Sequence, residues 1–321
     1  MNPSYSLRGK RVWVAGHRGL VGSALVRRLA REGCEIVTAP RDSVDLRRPD
    51  QIDRWMRDVR PQAVFLAAAR VGGIYANDTR PAEFIHDNLA IQTNVIEAAR
   101  RHDVEKMLLM GCSCIYPRLA PQPIPESALL IGPLEPTHQW YAIAKIAGLM
   151  TGQAYRRQYG CDFISVIPTH LYGPGDNFDL MQSHVVPALI VKAHRAKQAV
   201  APTVEVWGTG AVRREFLYVD DAADGMVHFM QHYSDEKIVN LGPGFDVPIR
   251  DLVKLICEVV GYKGGLRFDS SRPDGAPRQL LDTSSATALG WKATTPLRKG
   301  LEETCRWYAD HVGSEQRRAV A

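Results

Sequence analysis

The sequence has no long hydrophobic run. Its longest apolar stretches, such as Val64–Ala69 and Val185–Val191, fall well short of the roughly 18 residues a membrane helix needs. Met1–Lys10 lack the apolar core of a signal peptide. There is no CxxC pair, so zinc is not expected and no metal site is predicted. There is no repeat period, which excludes collagen and repeat arrays. Charge of one sign is also missing: 40 basic residues face 35 acidic ones, and the net of +5 is spread along the chain. That balance argues against nucleic-acid binding. These absences leave a soluble, cytoplasmic protein.

What is present is ample apolar material. Of 321 residues, 45% are hydrophobic and 23% charged, which suffices for a sizeable core in one large or two modest domains. The six cysteines, at 34, 112, 114, 161, 257 and 305, do not suggest a disulfide framework in a chain of this length. Cys34, Cys161, Cys257 and Cys305 read as buried thiols.

Short apolar strands alternate with amphipathic helices in the first half. Strands are expected at Arg11–Ala15, Glu35–Ala39, Ala63–Ala69, Lys106–Met110 and Asp162–Ile167. Helices are expected at Ser23–Glu32, Phe84–Arg101 and Tyr141–Tyr159. This alternation implies an α/β fold with a Rossmann-type doubly wound parallel sheet. After Pro168 the pattern changes. Short strands at Val204–Trp207 and Phe216–Val219 and helices at Asp220–Tyr233, Arg250–Val260 and Leu301–His311 suggest a smaller, discontinuous C-terminal α/β substrate domain. The expected division is 1–170 plus about 216–240 for the nucleotide-binding domain, and about 171–215 plus 241–321 for the other.

Between the first strand and helix lies Gly16-His17-Arg18-Gly19-Leu20-Val21-Gly22. A turn this tight, with backbone pressed against a pyrophosphate, needs residues without a Cβ, and the helix N-terminus then offers free N–H groups to the anion. The motif predicts a dinucleotide. Arg41, with Arg18 in support, argues for NADP(H) through its 2′-phosphate, while Asp42 could instead face a ribose hydroxyl.

Tyr141-Ala-Ile-Ala-Lys145 puts a phenol and an ammonium one helical turn apart. A lysine there is expected to lower the phenol's pKa, so that Tyr141 exchanges a proton with a sugar oxygen. A lone YxxxK is weak evidence. Here it follows the glycine loop and a strand that ends in Gly-Cys-Ser-Cys-Ile-Tyr-Pro.

Taken together, the chain resembles the extended short-chain dehydrogenase/reductases that act on nucleotide sugars. The resemblance is carried by AGHRGLVGSA at 15–24, LAAARVGGIYAN at 66–77, CSCIYP at 112–117, EPTHQWYAIAKIAG at 135–148, PTHLYGPGDNF at 168–178, SHVVPALI at 183–190, WGTGAVRREFLYVDD at 207–221 and PDGAPRQLLD at 273–282. It is narrowest for the members that use NADPH to epimerise C3 and C5 and reduce C4 of a GDP-linked 4-keto-6-deoxy sugar. It implies that Cys114 is the base and His184 the acid of epimerisation, with Tyr141 and Lys145 serving reduction. It also implies that Lys145, Pro168, Leu171 and His184 touch the cofactor. Lys192, Trp207, Arg214 and Asp274 would contact the GDP moiety, with Asn177 and Ser183 as weaker candidates. Taken singly, Cys114 reads as a small buried residue, His184 as a surface histidine and Trp207 as core.

Two departures from the family pattern stand out. Cys112 occupies a position where the family usually has a serine hydroxyl, and a thiol is a weak donor. Either Ser113 takes the role, or Cys112 serves at reduced rate, or reduction is altered. His170 stands where asparagine is common. Two other readings stay open: an epimerase/reductase for another GDP-linked keto-deoxy sugar, and a non-catalytic NADP-binding regulator. Relatives also imply a homodimer through the helices near 84–101 and 141–159.

Overall fold

The computed structural model describes residues 4–272 and 274–311. Twelve strands and ten helices follow one another among these residues. The first part of the chain contributes β1 (Arg11–Ala15), α1 (Leu20–Leu29), β2 (Glu35–Val37), α2 (Pro49–Val59), β3 (Ala63–Leu66), α3 (Ile74–Thr79), α4 (Pro81–Arg101), β4 (Lys106–Met110), α5 (Gln139–Tyr159) and β5 (Asp162–Pro168). The second contributes β6 (His170–Tyr172), α6 (Val185–Gln198), β7 (Thr203–Trp207), β8 (Arg213–Tyr218), α7 (Val219–His232), β9 (Val239–Leu241), β10 (Asp246–Pro248), α8 (Ile249–Val260), β11 (Gly265–Asp269), β12 (Arg278–Gln279), α9 (Ser284–Ala288) and α10 (Leu297–His311).

Six strands form a parallel sheet in the order β2-β1-β3-β4-β5-β9. Both faces are covered, and alternate residues of β1 serve opposite sides. Val12 and Val14 join a core with α1 and α7, whereas Trp13 and Ala15 join one with α2, α4 and α5. Each fully buried aliphatic or phenyl side chain in these layers stabilises the fold by about 1.5–3 kcal/mol. The chain leaves β1 toward β2 and returns on the other side at β3. A ligand crevice forms at the carboxyl ends of the strands where the winding reverses.

The remaining strands build a smaller unit. β8 pairs with β10, β12 and β6, and β7 pairs with β11. Helices α6, α8 and α10 cover it with a third core.

Several boundaries differ from the sequence expectation. β2 ends at Val37 and β3 at Leu66, before the small residues that follow. α1 begins at Leu20, because Gly19 is its N-cap. Phe216–Tyr218 belongs to the smaller sheet, so the return to the nucleotide-binding unit comes at Val219, the start of α7. The segment after 241 is not confined to the smaller unit either. Ala286 and Trp291 are buried in the core shared by α1 and α7, and the Trp291 indole donates to Asp224. No helix among the described residues is long and apolar enough to cross a membrane. Among them, no group of three or more His, Cys, Asp or Glu side chains is placed to hold a metal.

Candidate active site

The glycine loop is shaped by contacts that exclude any side chain. Gly16 has φ +91°. A Cβ there would lie 2.7 Å from the Ala68 nitrogen, and one at Gly22 would lie 2.1 Å from the Gly16 carbonyl oxygen. Gly19 carries no such pressure, with its nearest neighbour at 3.5 Å. No side chain caps α1, so the first-turn amides of Leu20, Val21 and Gly22 remain as donors. His17 Nδ1 is buried without a partner among the described residues, and desolvation, with Arg18, lowers its pKa. The cradle fits a pyrophosphate. Arg18, Arg41 and Asp42 are exposed, and none is in a salt bridge among the described residues. The loop after β6 folds onto this region, bringing Gly175 to the Ser23 hydroxyl. Beside it, Asp176 has one oxygen without a partner, and burial raises its carboxyl to about 7. No charge pattern in the sequence had singled out Asp176.

Tyr141 lies in the first turn of α5, edge-on to Phe84 at 6.3 Å. Lys145 is one turn further on, with Nζ 5.8 Å from the Tyr141 ring centre. The expected lowering of the phenol by its lysine does not appear. Lys145 Nζ donates to the Met110 carbonyl at 2.8 Å, at the end of β4. Burial raises the Tyr141 hydroxyl above its ordinary value and brings Lys145 down to about 8.

Three residues past Met110 the chain enters a 3₁₀ turn, Ser113–Ile115. Here the expectation of free thiols is corrected: Cys112 and Cys114 are joined by a disulfide. Neither sulfur carries a proton in this form, so Cys114 cannot act as a base nor Cys112 as a donor. Ser113, between them, is buried.

His184 is the N-cap residue of α6. It is reached by solvent yet surrounded by protein, and desolvation lowers its pKa. Its position is set from the 70–73 loop, where Gly73 N donates to Gln182 O at 2.8 Å. A Cβ on Gly73 would meet the Ser183 carbonyl at 2.5 Å. Asn88 clamps the same loop by accepting from Arg70 N and donating to Arg70 O. The Ser183 hydroxyl is buried without a partner among the described residues, and Asn177 is exposed.

His170, His138 and His184 share one electrostatic environment with Arg214. Desolvation first, then Arg214, His184 and His138, drive His170 down to about 3 while the Glu215 carbonyl opposes this. Desolvation also lowers His138, with Glu135 opposing. These imidazoles are therefore neutral at neutral pH. His138 belongs to this electrostatic group, and the sequence reading passed it over inside its EPTHQWY segment.

Further out, Trp207 is 42% exposed and is not a core residue. Lys192 Nζ sits 5.0 Å from its ring centre and the Arg272 guanidinium 4.9 Å. Arg272 was not expected from the sequence; it lies in a turn that only the β7–β11 pairing brings alongside. Burial lowers Lys192. Arg214 is brought down to about 10 by burial, against the pull of Asp274 and Glu135. The Asp274 carboxylate accepts from the Thr209 N–H and hydroxyl, closing the 208–210 turn. Its main-chain oxygen accepts from Arg214. Pro168 ends β5 and Leu171 lies in β6, between the cradle and this outer site.

A doubly wound sheet with a glycine cradle, a Tyr-Lys helix turn and a cationic cleft defines a nucleotide-dependent dehydrogenase/epimerase architecture. Residues 12–242 match the NAD dependent epimerase/dehydratase family, and the chain belongs to that family. It is 51% identical to the GDP-L-fucose synthase of Sinorhizobium fredii, over 97% of this chain and 99% of that protein. Among solved structures it is similar to a GDP-6-OMe-4-keto-L-xylo-heptose reductase from C. jejuni, with TM-score 0.91 and 32% identity, covering 96% of this chain and 99% of that one. It is also similar to a GDP-L-fucose synthetase from Naegleria fowleri bound to NADP, with TM-score 0.89 and 26% identity, covering 98% of each.

Proposed function

We propose that this protein is an NADPH-dependent enzyme that inverts C3 and C5 and reduces C4 of GDP-4-keto-6-deoxy-D-mannose, giving GDP-L-fucose. The observation that carries this reading is the Tyr141–Lys145 turn of α5, packed against the 112–114 turn, in a chain that also carries the glycine cradle and the Lys192–Trp207–Arg272 stack. The cradle residues Gly16 to Gly22 would hold the pyrophosphate, with Arg18 and Arg41 available to a 2′-phosphate. When bound, NADPH supplies the hydride for C4.

The chain's own residues do the proton work. A ketone at C4 acidifies the hydrogens at C3 and C5. A thiolate at Cys114, in the reduced form of the pair, takes the proton from carbon while the ketone oxygen carries the charge. His184 returns a proton on the opposite ring face; because desolvation lowers its pKa, it must first take up that proton and then gives it up readily. Tyr141 then gives its proton to the C4 oxygen, with the buried Lys145 cation fixed nearby by Met110. Lys192, Arg272 and Arg214 supply positive charge for the diphosphate, and the Trp207 face a platform for a ring.

The reading includes a homodimer through α4 and α5. Its support is the exposed Ile143 and Met150, seven residues apart on α5. Light scattering at twice 35.7 kDa supports the dimer, and a single-chain mass overturns it.

The test is turnover of the fully reduced protein with the 4-keto sugar in D2O. NADPH loss, with deuterium at C3 and C5 of a GDP-L-fucose product, is the expected result. Deuterium exchange without NADPH loss removes reduction from the assignment. Neither exchange nor oxidation overturns the substrate.

A further inference from the structure

We propose that Cys112 and Cys114 are a reversible thiol–disulfide modification site that switches catalysis off when it closes. The proposal rests on the functional reading above, since it is the assigned base that becomes locked.

The pairing follows from backbone geometry. Residues two apart on a fully extended chain point to the same side but stand about 6.6 Å apart. Here Cys112 is extended, at φ −159° and ψ 153°, and the chain then curls into the 3₁₀ turn. Ile115 N donates to Cys112 O at 3.2 Å and Tyr116 N to Ser113 O at 3.3 Å. The curl leaves the two Cα atoms 5.4 Å apart, within the span that a disulfide bridges. The turn is anchored from below. Ser113, Ile115 and Tyr116 are buried, and the Tyr116 hydroxyl donates to Asn240 Oδ1 at 2.6 Å. Closure of the pair therefore uses a spacing that the fold itself maintains.

The pair also differs from the other cysteines. Cys112 and Cys114 are half-buried and already joined to each other. Cys257 and Cys305 are buried, and burial raises their thiols, Cys305 to about 12. Burial likewise raises Cys34 and Cys161. The thiolate is the reacting form, so these four are held back chemically, and none has a disulfide partner among the described residues.

The step balances with a small disulfide such as oxidised glutathione. One thiolate of the pair attacks it and expels a glutathione thiolate. The second cysteine then attacks the mixed disulfide and expels the other. Two electrons pass from the pair to the oxidant, and two glutathione thiols are released. A dithiol reverses the sequence. In the closed state Cys114 has no thiolate to take a proton from carbon, and Cys112 has no S–H to offer.

The experiment treats the full chain with oxidised glutathione, then unfolds and alkylates a portion for mass analysis and assays the rest. Four alkyl groups after oxidation and six after dithiothreitol are expected, the missing two mapping to 112 and 114. Deuterium exchange into the 4-keto sugar should fall by about 10²-fold or more on closure, the scale set by losing a general base, and return with dithiothreitol. In Cys112→Ser, whatever its own rate, no internal bond can close, so any loss of exchange after oxidant should be matched by glutathione held on Cys114 and never by the loss of two thiols. In the wild type, six alkylated cysteines after oxidation, or glutathione retained on Cys114 without an internal bond, would overturn the proposal. So would a closed pair that exchanges at the reduced rate. A reduced enzyme with six thiols and no exchange overturns the functional reading itself, and the thiol count keeps that failure distinct.

Discussion

Lys145 is 2% exposed, and its ammonium is spent on one carbonyl. It fixes the distance between the α5 phenol and the strand end that carries the two cysteines. Tyr141→Phe keeps the ring and its contact with Phe84 but removes the proton. The reduction rate should fall by about 10²–10⁴-fold with NADPH affinity unchanged, as read by NADPH consumption and by fluorescence titration. Trp207→Ala removes the platform between Lys192 and Arg272. Calorimetry with GDP should show a loss of about 1–3 kcal/mol if a base stacks there; unchanged affinity would take the ring out of the ligand site. At this scale the sequence displayed which side chains matter more readily than their states. Tyr141 and Lys145 stood out from a local motif, whereas His184 and Trp207 were suggested only by the family resemblance. The Cys112–Cys114 bond was not, because a CxC triplet says nothing about a following 3₁₀ curl. Arg272 was not, because it meets Trp207 only through strand pairing between distant segments.

Among the elements, the β1–loop–α1 unit was the most readable, since its glycines are demanded by contacts within a few residues and by Ala68 just past the neighbouring strand. Gly16→Ala should weaken NADPH binding by at least about tenfold: the new methyl meets backbone at 2.7 Å and the positive φ disfavours any L side chain. Titration of the variant, with circular dichroism to confirm that it has folded, checks this. A second pressure point lies between α4 and α5. A methyl on Gly148 would stand 2.2 Å from Gln92 Oε1, and Gln92 is itself buried and donates to the Ala144 carbonyl. Gly148→Ala should cost about 1–3 kcal/mol through overpacking, seen as a lower denaturation midpoint. Element ends were read less well than element existence. Gly19 starts α1 and Pro81 starts α4 by capping geometry, which apolar spacing alone does not reveal.

For the molecule as a whole, Glu215 is the residue that joins the parts. It is fully buried on β8, and its carboxylate accepts from Gly244 N and Leu281 N, each at 2.9 Å. Its main-chain oxygen accepts from the Thr169 hydroxyl just after β5. Desolvation raises its carboxyl from the ordinary 4.5 to about 7. The folded protein therefore binds a proton that the unfolded chain has already released between those pH values. The stability it contributes is present below about 4.5 and is lost as pH rises through about 7. Melting curves should show wild type falling relative to Glu215→Gln across that window; a constant gap would remove Glu215 as the titrating group. The sequence conveyed two units but not how they are threaded, because the pairings that decide it join residues far apart in the chain.

That threading bears on how the protein is born. Trp291 fills the core against Phe229 and caps it with a bond to Asp224. The layer between α1 and α7, beside the glycine cradle, stays open until that indole has left the ribosome, when nearly all of the chain has been made. A nascent chain stopped at residue 280 should neither resist protease nor retain NADPH, whereas one extended past 311 should do both. Cofactor capture is therefore expected late in synthesis, although the loop that would perform it is among the first segments to emerge.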